Sequence, residues 1–281
     1  MENNFITMDR IADYQNYLLK EEKATGTVEK YIRDLKRFSD WLSGRAVTKQ
    51  LVSEWKDFLI EKNYAATTIN SMLASLHGYF RYYNLEGCSV KFLKIQRRIF
   101  REESRELSKD EYRKLIQTAN EKGNHRTALL IEAMGATGIR VSEVKYITVE
   151  AVKRGRTEVA LKGKIRTIFF PSLLSKKILN YAKKNRINHG EIFVTRNGNG
   201  ISRKQIWAEM KNLCQDARIE RTKVFPHNLR HMFARVFYKA SRDIVRLADV
   251  LGHSNIETTR IYLLTTGEEH RECLERLQLV C

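Results

Sequence analysis

The chain has 281 residues, enough for one or two domains with sizeable cores. Hydrophobic residues make up 42% and aromatics 10%, a globular composition that excludes a disordered chain; no run approaches the ~18 apolar residues a membrane-spanning helix needs. Lys and Arg total 51 against 33 Asp and Glu, a net charge of +18, which favours nucleic acid over a membrane surface or an acidic protein, because each cation set on a phosphate releases a condensed counterion.

The N-terminal stretch MENNFITMDRIADY carries acidic residues early and no basic region followed by an apolar run, so it does not read as a secretory signal. Helical spacing then recurs four times. Ile11, Tyr14, Tyr17 and Leu18 share a face, followed by Val28, Tyr31, Leu35, Phe38 and Leu42. Leu51, Trp55, Phe58 and Leu59 form a third face, and Ile69, Met72, Leu73, Leu76 and Phe80 a fourth. Four amphipathic helices of ~12 to 16 residues predict a compact bundle whose polar faces are rich in Lys and Arg.

Residues 90–107, VKFLKIQRRIFREESREL, are dense in positive charge and poor in helical period, which predicts an extended linker and a boundary near residues 95 to 105. Ser108 and Glu111 are then spaced as a capping box that restarts a helix. RTALLIEAMGATG reads as an apolar helix that stops at glycines. TEVALKGKIRTIFFP holds two β-rich runs joined at Lys162-Gly163-Lys164, a predicted hairpin, and EIFVT reads as another short strand before the turn RNGNG. Helices dominate to the end. Cys88, Cys214, Cys273 and Cys281 are scattered without a CxxC pair, as expected of reduced thiols in the cytoplasm.

Polar groups gather at four places: ATGIRVSEV with Arg140 just past a glycine, the Lys162 turn, PHNLRH, and LGHSNIETTRIY. In PHNLRH, Pro226 suits a first helical turn, and His227 and Arg230 at i and i+3 share one face beside free backbone N–H groups, an anion site. His227 and His231 at i and i+4 have the spacing of helical zinc ligands, but Asn228 stands where such a site needs its Glu, and the adjacent Arg230 would repel the ion. No metal is expected. Singly, each feature has a plainer reading: Arg140 with Glu143 as a helix ion pair, Lys162 as a solvated tip, Thr258 and Thr259 as packing, Tyr262 as core.

Taken in order, TGIRVSE, the hairpin lysine, HNLRH and LGHSNIETTRIY resemble the tyrosine recombinase (phage integrase) family, whose pattern is Arg, hairpin Lys, His-x-x-Arg, His or Trp, then Tyr. His253 and Tyr262 have the family's nine-residue separation. The resemblance covers the C-terminal domain, and the N-terminal bundle with its basic linker resembles the family's core-binding domain. It implies a mainly α fold: a SAM-like core-binding DNA-clamp bundle over residues 1–97, a basic linker over 98–106, and an α+β catalytic domain with a small antiparallel sheet over 107–281. By position, Arg140 and Arg230 match the arginines that hold the scissile phosphate. His227 and His253 match the two histidine positions, Tyr262 the nucleophile, and Glu143 a supporting acidic position. The family often reads Gly-Lys-Gly-x-Lys-x-Arg; here LKGKIR is one residue shorter, so Lys162 is the better match for the hairpin lysine and Lys164 the alternative. Pro226 replaces a small residue or Thr common before the His-x-x-Arg. Arg97, Arg98 and Arg101 of the linker are the expected DNA contacts.

The chemistry fits these residue types. Attack on a phosphodiester adds charge to the nonbridging oxygens, which guanidiniums meet with paired donors at any working pH, and His253 and His227 can add more. A phenol of pKa ~10 needs nearby positive charge and a proton acceptor such as His227, and the leaving 5′ oxygen needs a proton that a lysine can supply. The result is a 3′-phosphotyrosine and a free 5′ hydroxyl, one phosphodiester exchanged for another, so no cofactor is expected. The resemblance therefore implies a cytoplasmic site-specific DNA recombinase of the integrase or transposon kind, acting on double-stranded recombination sites, exchanging strands through a Holliday junction and assembling as a dimer or tetramer. The terminal run LLTTGEEHRECLERLQLV, with Cys273, Leu274, Leu277 and Val280 near one face, is the segment expected to dock on a neighbouring protomer. A type IB topoisomerase and a non-catalytic DNA-binding relative are the rival readings.

Overall fold

The computed structural model describes residues 4–95, 105–161, 164–263, 271 and 274–277. The chain is mainly helical and divides into two compact units, residues 1–97 and 98–281. Arg97, Arg98 and Arg101 lie outside the described residues, as do Lys162, Cys273 and Val280.

The first unit is built from α1 (Met8–Lys20), α2 (Thr25–Leu42), α3 (Lys49–Glu61) and α4 (Ala66–Tyr82). Thr7 and Thr48 cap α1 and α3 by accepting from the N–H of Arg10 and Leu51. The apolar positions read from the periodicity converge on one core around Phe38, Trp55 and Phe80, while Tyr17, Tyr31 and Phe58 lie at its edge. α2 and α4 run to 18 and 17 residues, longer than the expected range. The two helices pack along each other, and Ile32 and Tyr79 are buried as well. A buried polar knot sets their register: Asp34 of α2 accepts from Lys30 Nζ at 2.8 Å and from Ser75 Oγ of α4 at 2.9 Å. Loss of Lys30 would leave the buried Asp34 charge with only the longer 3.8 Å pairing to Arg33 as a counter-charge among the described residues.

The second unit starts with α5 (Lys109–Glu121), whose capping box forms as the spacing predicts: Ser108 Oγ accepts from the Glu111 N–H and the Glu111 carboxylate from the Ser108 N–H. α6 (His125–Thr137) is buried almost all round, consistent with its weak amphipathicity. It ends at Gly138 in the left-handed conformation, and not at Gly135, which lies inside the helix where a Cβ would strike the Tyr112 ring. A 3₁₀ segment (Val141–Tyr146) and α7 (Val149–Lys153) lead into an antiparallel hairpin of β1 (Arg156–Leu161) and β2 (Lys164–Phe169), in which Leu161 pairs with Lys164 and Val159 with Arg166. α8 (Ser172–Lys184) and α9 (Arg203–Asp216) pack around α6, and α10 (Pro226–Ser241), α11 (Ile244–Leu251) and the single turn α12 (Glu257–Arg260) follow.

EIFVT is not a strand. Glu191 and Val194 make isolated bridges to Thr148 and Gly200, while Ile192 and Phe193 are buried. The apolar run is a core crossing whose neighbours are too short to form a ladder. Among the described residues, no helix is long and apolar enough to cross a membrane.

Candidate active site

Four segments of the second unit deliver side chains to one place, and the local sequence explains each delivery. Gly138 stops α6 with φ of +63°, so the chain turns and presents Arg140 at the start of the 3₁₀ segment. Pro226 occupies the first turn of α10 and places His227, Arg230 and His231 along one side of it. Gly252 ends α11 with φ of +64° and throws the chain outward at His253. α12 then returns it, so that Tyr262 packs on α10 and α11 beside Ala234, Leu247 and Leu251.

Arg230 is the hub. It is 3% exposed, and its terminal nitrogens donate to the carbonyls of Gly138 at 2.5 Å and Leu251 at 2.6 Å, joining the ends of α6 and α11. Nη2 also faces His253 Nε2 at 3.2 Å. Burial, then the neighbouring Arg140 and Arg166, push the Arg230 pKa down to about 10, so it stays charged at neutral pH.

Glu143 organises the opposite side. It is 1% exposed; one carboxylate oxygen accepts from Arg140 Nη1 at 2.9 Å, and the other accepts from the Arg140 backbone N–H at 2.8 Å and from Arg166 Nη2. Burial favours its neutral form, but the Arg140 backbone N–H and the charge of Arg166 outweigh burial and hold the carboxyl below its ordinary pKa.

Three histidines surround the Tyr262 ring, His231 edge-on at 4.4 Å between centroids, His253 stacked at 5.7 Å and His227 at 6.3 Å. Burial first, then neighbouring arginines, brings His253 down to about 4; burial and then His227 do the same for His231, and His227 is lowered as well. The hydrogen bonds fix the His253 tautomer. An Arg230 N–H can only donate, so Nε2 accepts, the proton sits on Nδ1, and Nδ1 donates to Thr259 Oγ1 at 2.9 Å.

Arg140, Glu143, His227, Arg230, His253 and Tyr262 therefore come together. Lys164 is the first residue of β2, its side chain outside the described set, and Lys162 is outside it entirely. Arg166, Thr259 and His231 are partners that sequence reasoning did not assign to the site. His231 carried a signal at i+4 from His227, and Arg166 closes the stretch KGKIR. Asn228, in the position of a zincin glutamate, donates to the carbonyls of Arg105 and Lys223 and ties down the entry to this unit. Among the described residues, no three His, Cys, Asp or Glu side chains group to hold a metal ion.

A cleft of about 1050 Å³ opens over Arg140, Glu143, Arg166 and His253, walled by Phe233 and Phe237. Tyr262, 4% exposed, and Arg230 are not among its lining residues. The arrangement can hold an anion between guanidiniums and bring a phenol hydroxyl to it.

Residues 105–269 match the family model described as phage integrase family, and residues 11–87 match the phage integrase N-terminal SAM-like domain. The tyrosine recombinase XerA of Pyrococcus furiosus is 28% identical, with all of this chain and 98% of that protein covered. The tyrosine recombinase XerD of Halalkalibacterium halodurans is 25% identical over 89% of this chain and 90% of its own length. Among solved structures, the Tn1549 transposon integrase in complex with transposon right end DNA superposes with a TM-score of 0.72 at 17% identity, covering 95% of this chain and 99% of that one. A lambda integrase dimer bound to a COC′ core site gives 0.73 at 17% identity, covering 92% and 78%.

Proposed function

Because the chain belongs to the phage integrase family, we propose that it is a site-specific recombinase that breaks and rejoins DNA through a 3′-phosphotyrosine at Tyr262. The observation that carries this reading is the placement of Tyr262 inside a ring of three neutral histidines, one of which, His253, accepts from the buried Arg230 guanidinium.

Arg140 and Arg230 take the nonbridging oxygens of the scissile phosphate. Arg140 is the more open of the two, with a side chain 30% exposed at the cleft, while Arg230 is 3% exposed. The Tyr262 oxygen attacks phosphorus and gives its proton to His227, which burial, Arg230 and Arg140 keep neutral and able to accept. The bond to the 5′ oxygen breaks, and Lys162 of the hairpin protonates that oxygen. The buried Tyr262 ring makes the present arrangement a resting one. Attack requires the segment from His253 to Leu263, which contains only the single turn α12, to swing the hydroxyl up to the cleft. An incoming phosphate favours the protonated form of His253, whose Nε2 then donates to the transition state where it now accepts from Arg230.

The phosphodiester energy stays on the enzyme, and a 5′ hydroxyl from a second duplex reverses the step, so paired exchanges pass through a Holliday junction. Arg97, Arg98 and Arg101 neutralise flanking phosphates. The terminal segment docks on the next protomer of a tetramer on two sites, in the cytoplasm where the DNA lies.

A nicked suicide substrate tests this reading. The wild-type protein forms a covalent adduct at the 3′ phosphate, whereas Tyr262→Phe binds the same DNA and forms none. An adduct that survives Tyr262→Phe places the nucleophile elsewhere; a wild type that binds DNA without any adduct is a non-catalytic relative. Dependence on two cognate sites separates a recombinase from a type IB topoisomerase, which relaxes supercoils as a monomer.

A further inference from the structure

Strand β2 brings a third arginine into the site that neither the phosphate clamp nor the nucleophile accounts for. The Arg166 side chain is 9% exposed. Its Nη1 donates to the Val250 carbonyl at 2.8 Å, near the end of α11, and its Nη2 pairs with Glu143. The same carboxylate holds Arg140 by side chain and backbone. On the other side, Val250 lies three residues before His253, and Gly252 between them leaves room for the arginine: a Cβ there would sit 2.4 Å from Arg166 Cδ. The Arg166 Nε is buried without a hydrogen-bond partner.

Burying a guanidinium is unfavourable, and an apolar side chain of similar size would pack the same space better. An apolar side chain cannot hold a carboxylate and a carbonyl from two segments in one plane, and lysine cannot do so with fixed geometry. We propose that Arg166 is a positioning residue: it locks the Glu143–Arg140 pair and the Gly252–His253 turn into one frame, so that the two groups meeting the scissile phosphate from the cleft side keep a common geometry. The inference rests on the recombinase reading above. It also explains why the carboxylate at 143 must be buried and ionised, since it has two cations to align.

Single-turnover cleavage of the nicked substrate separates positioning from folding, because loss of folded protein lowers the amplitude of the adduct, whereas misplacement lowers its rate constant at full amplitude. Arg166→Gln should keep DNA affinity and amplitude and lose about 100-fold in rate constant, the scale of a misplacement of about 1 Å. Arg166→Lys, which keeps the charge but not the fork, should lose about 10-fold. It keeps the claim falsifiable should the glutamine variant not fold. A substrate with a 5′-bridging phosphorothiolate, whose sulfur leaves without a proton, should not recover either variant, because the defect lies on the phosphate side. A wild-type rate constant in both variants, a lowered amplitude alone, or recovery with the phosphorothiolate would each overturn the proposal. Failure of the wild type to form any adduct would instead remove the recombinase reading, and this inference with it.

Discussion

Replacing Thr259 by valine keeps the shape of a fully buried side chain and removes one oxygen. That oxygen accepts the His253 Nδ1 proton at 2.9 Å, and the consequence follows from what faces the other ring nitrogen. If the proton stays on Nδ1, a donor is left unpaired beside two methyl groups, at a cost of about 1–3 kcal/mol. If it moves to Nε2, it points at the Arg230 Nη2 donor 3.2 Å away, and two N–H groups oppose each other. Either way the stacked His253 ring loses the geometry from which it would serve the phosphate. At 1.4 kcal/mol per tenfold, the expected fall in single-turnover cleavage is about 10- to 100-fold. DNA affinity should not change, since Thr259 has no exposed surface to offer DNA. Thr259→Ser restores the oxygen and should cleave within about threefold of wild type, the small deficit reflecting the lost methyl group. Cleavage by Thr259→Val at the wild-type rate, in a protein that melts normally, would refute the tautomer assignment.

Stability should fall with acid through the histidines. His231 and His253 titrate near 4 in the folded protein and near 6.5 when unfolded, so their contribution is complete above pH 6.5 and is lost as pH falls towards 4, up to about 3 kcal/mol for each. Urea melts of wild type and His231→Phe at pH 7 and pH 5 should show the variant losing less than wild type over this interval; equal losses would contradict the burial of a neutral His231. Deleting residues 268–281 should leave DNA binding intact and weaken assembly, seen as dimers or monomers in sedimentation on DNA; recombination at the normal rate would sink the docking role.

Much of the fold could be read in advance because its signals are local. The first four helices show one apolar face each, and Ser108 and Glu111 cap α5 across a single turn. EIFVT misled because a short buried apolar run looks the same whether it pairs in a ladder or crosses a core on single bridges. The candidate site was legible where spacing carries meaning, as with His227 and Arg230 on one helix face or His253 and Tyr262 flanking α12. Arg166 was not, because its partners Glu143 and Val250 lie 23 and 84 residues away, and nothing near it in the chain marks it as buried. Thr259 was read as packing for a similar reason: its hydroxyl matters only once His253 folds back over it.

The charges of the site explain why it rests closed. Three guanidiniums, Arg140, Arg166 and Arg230, lie together; Arg140 and Arg166 lower the proton affinity of Arg230, and among the described residues Glu143 is the one carboxylate that pairs with two of the three. Arg230, which pairs with no carboxylate among the described residues, directs its donors at backbone carbonyls and at a neutral histidine, acceptors that carry partial charge only. Among the described residues such a cluster is under-neutralised: three guanidiniums meet one carboxylate, and the Arg166 Nε is buried without a hydrogen-bond partner. A phosphate entering over Arg140 supplies the missing anion, and it competes best for Arg230, the member held by the weakest acceptors. Drawing Arg230 towards the phosphate would release the Leu251 carbonyl and His253, the groups at the start of the segment that carries Tyr262. In the proposed mechanism the substrate itself would loosen Tyr262, and phosphate binding and tyrosine exposure would be two ends of one exchange of hydrogen bonds.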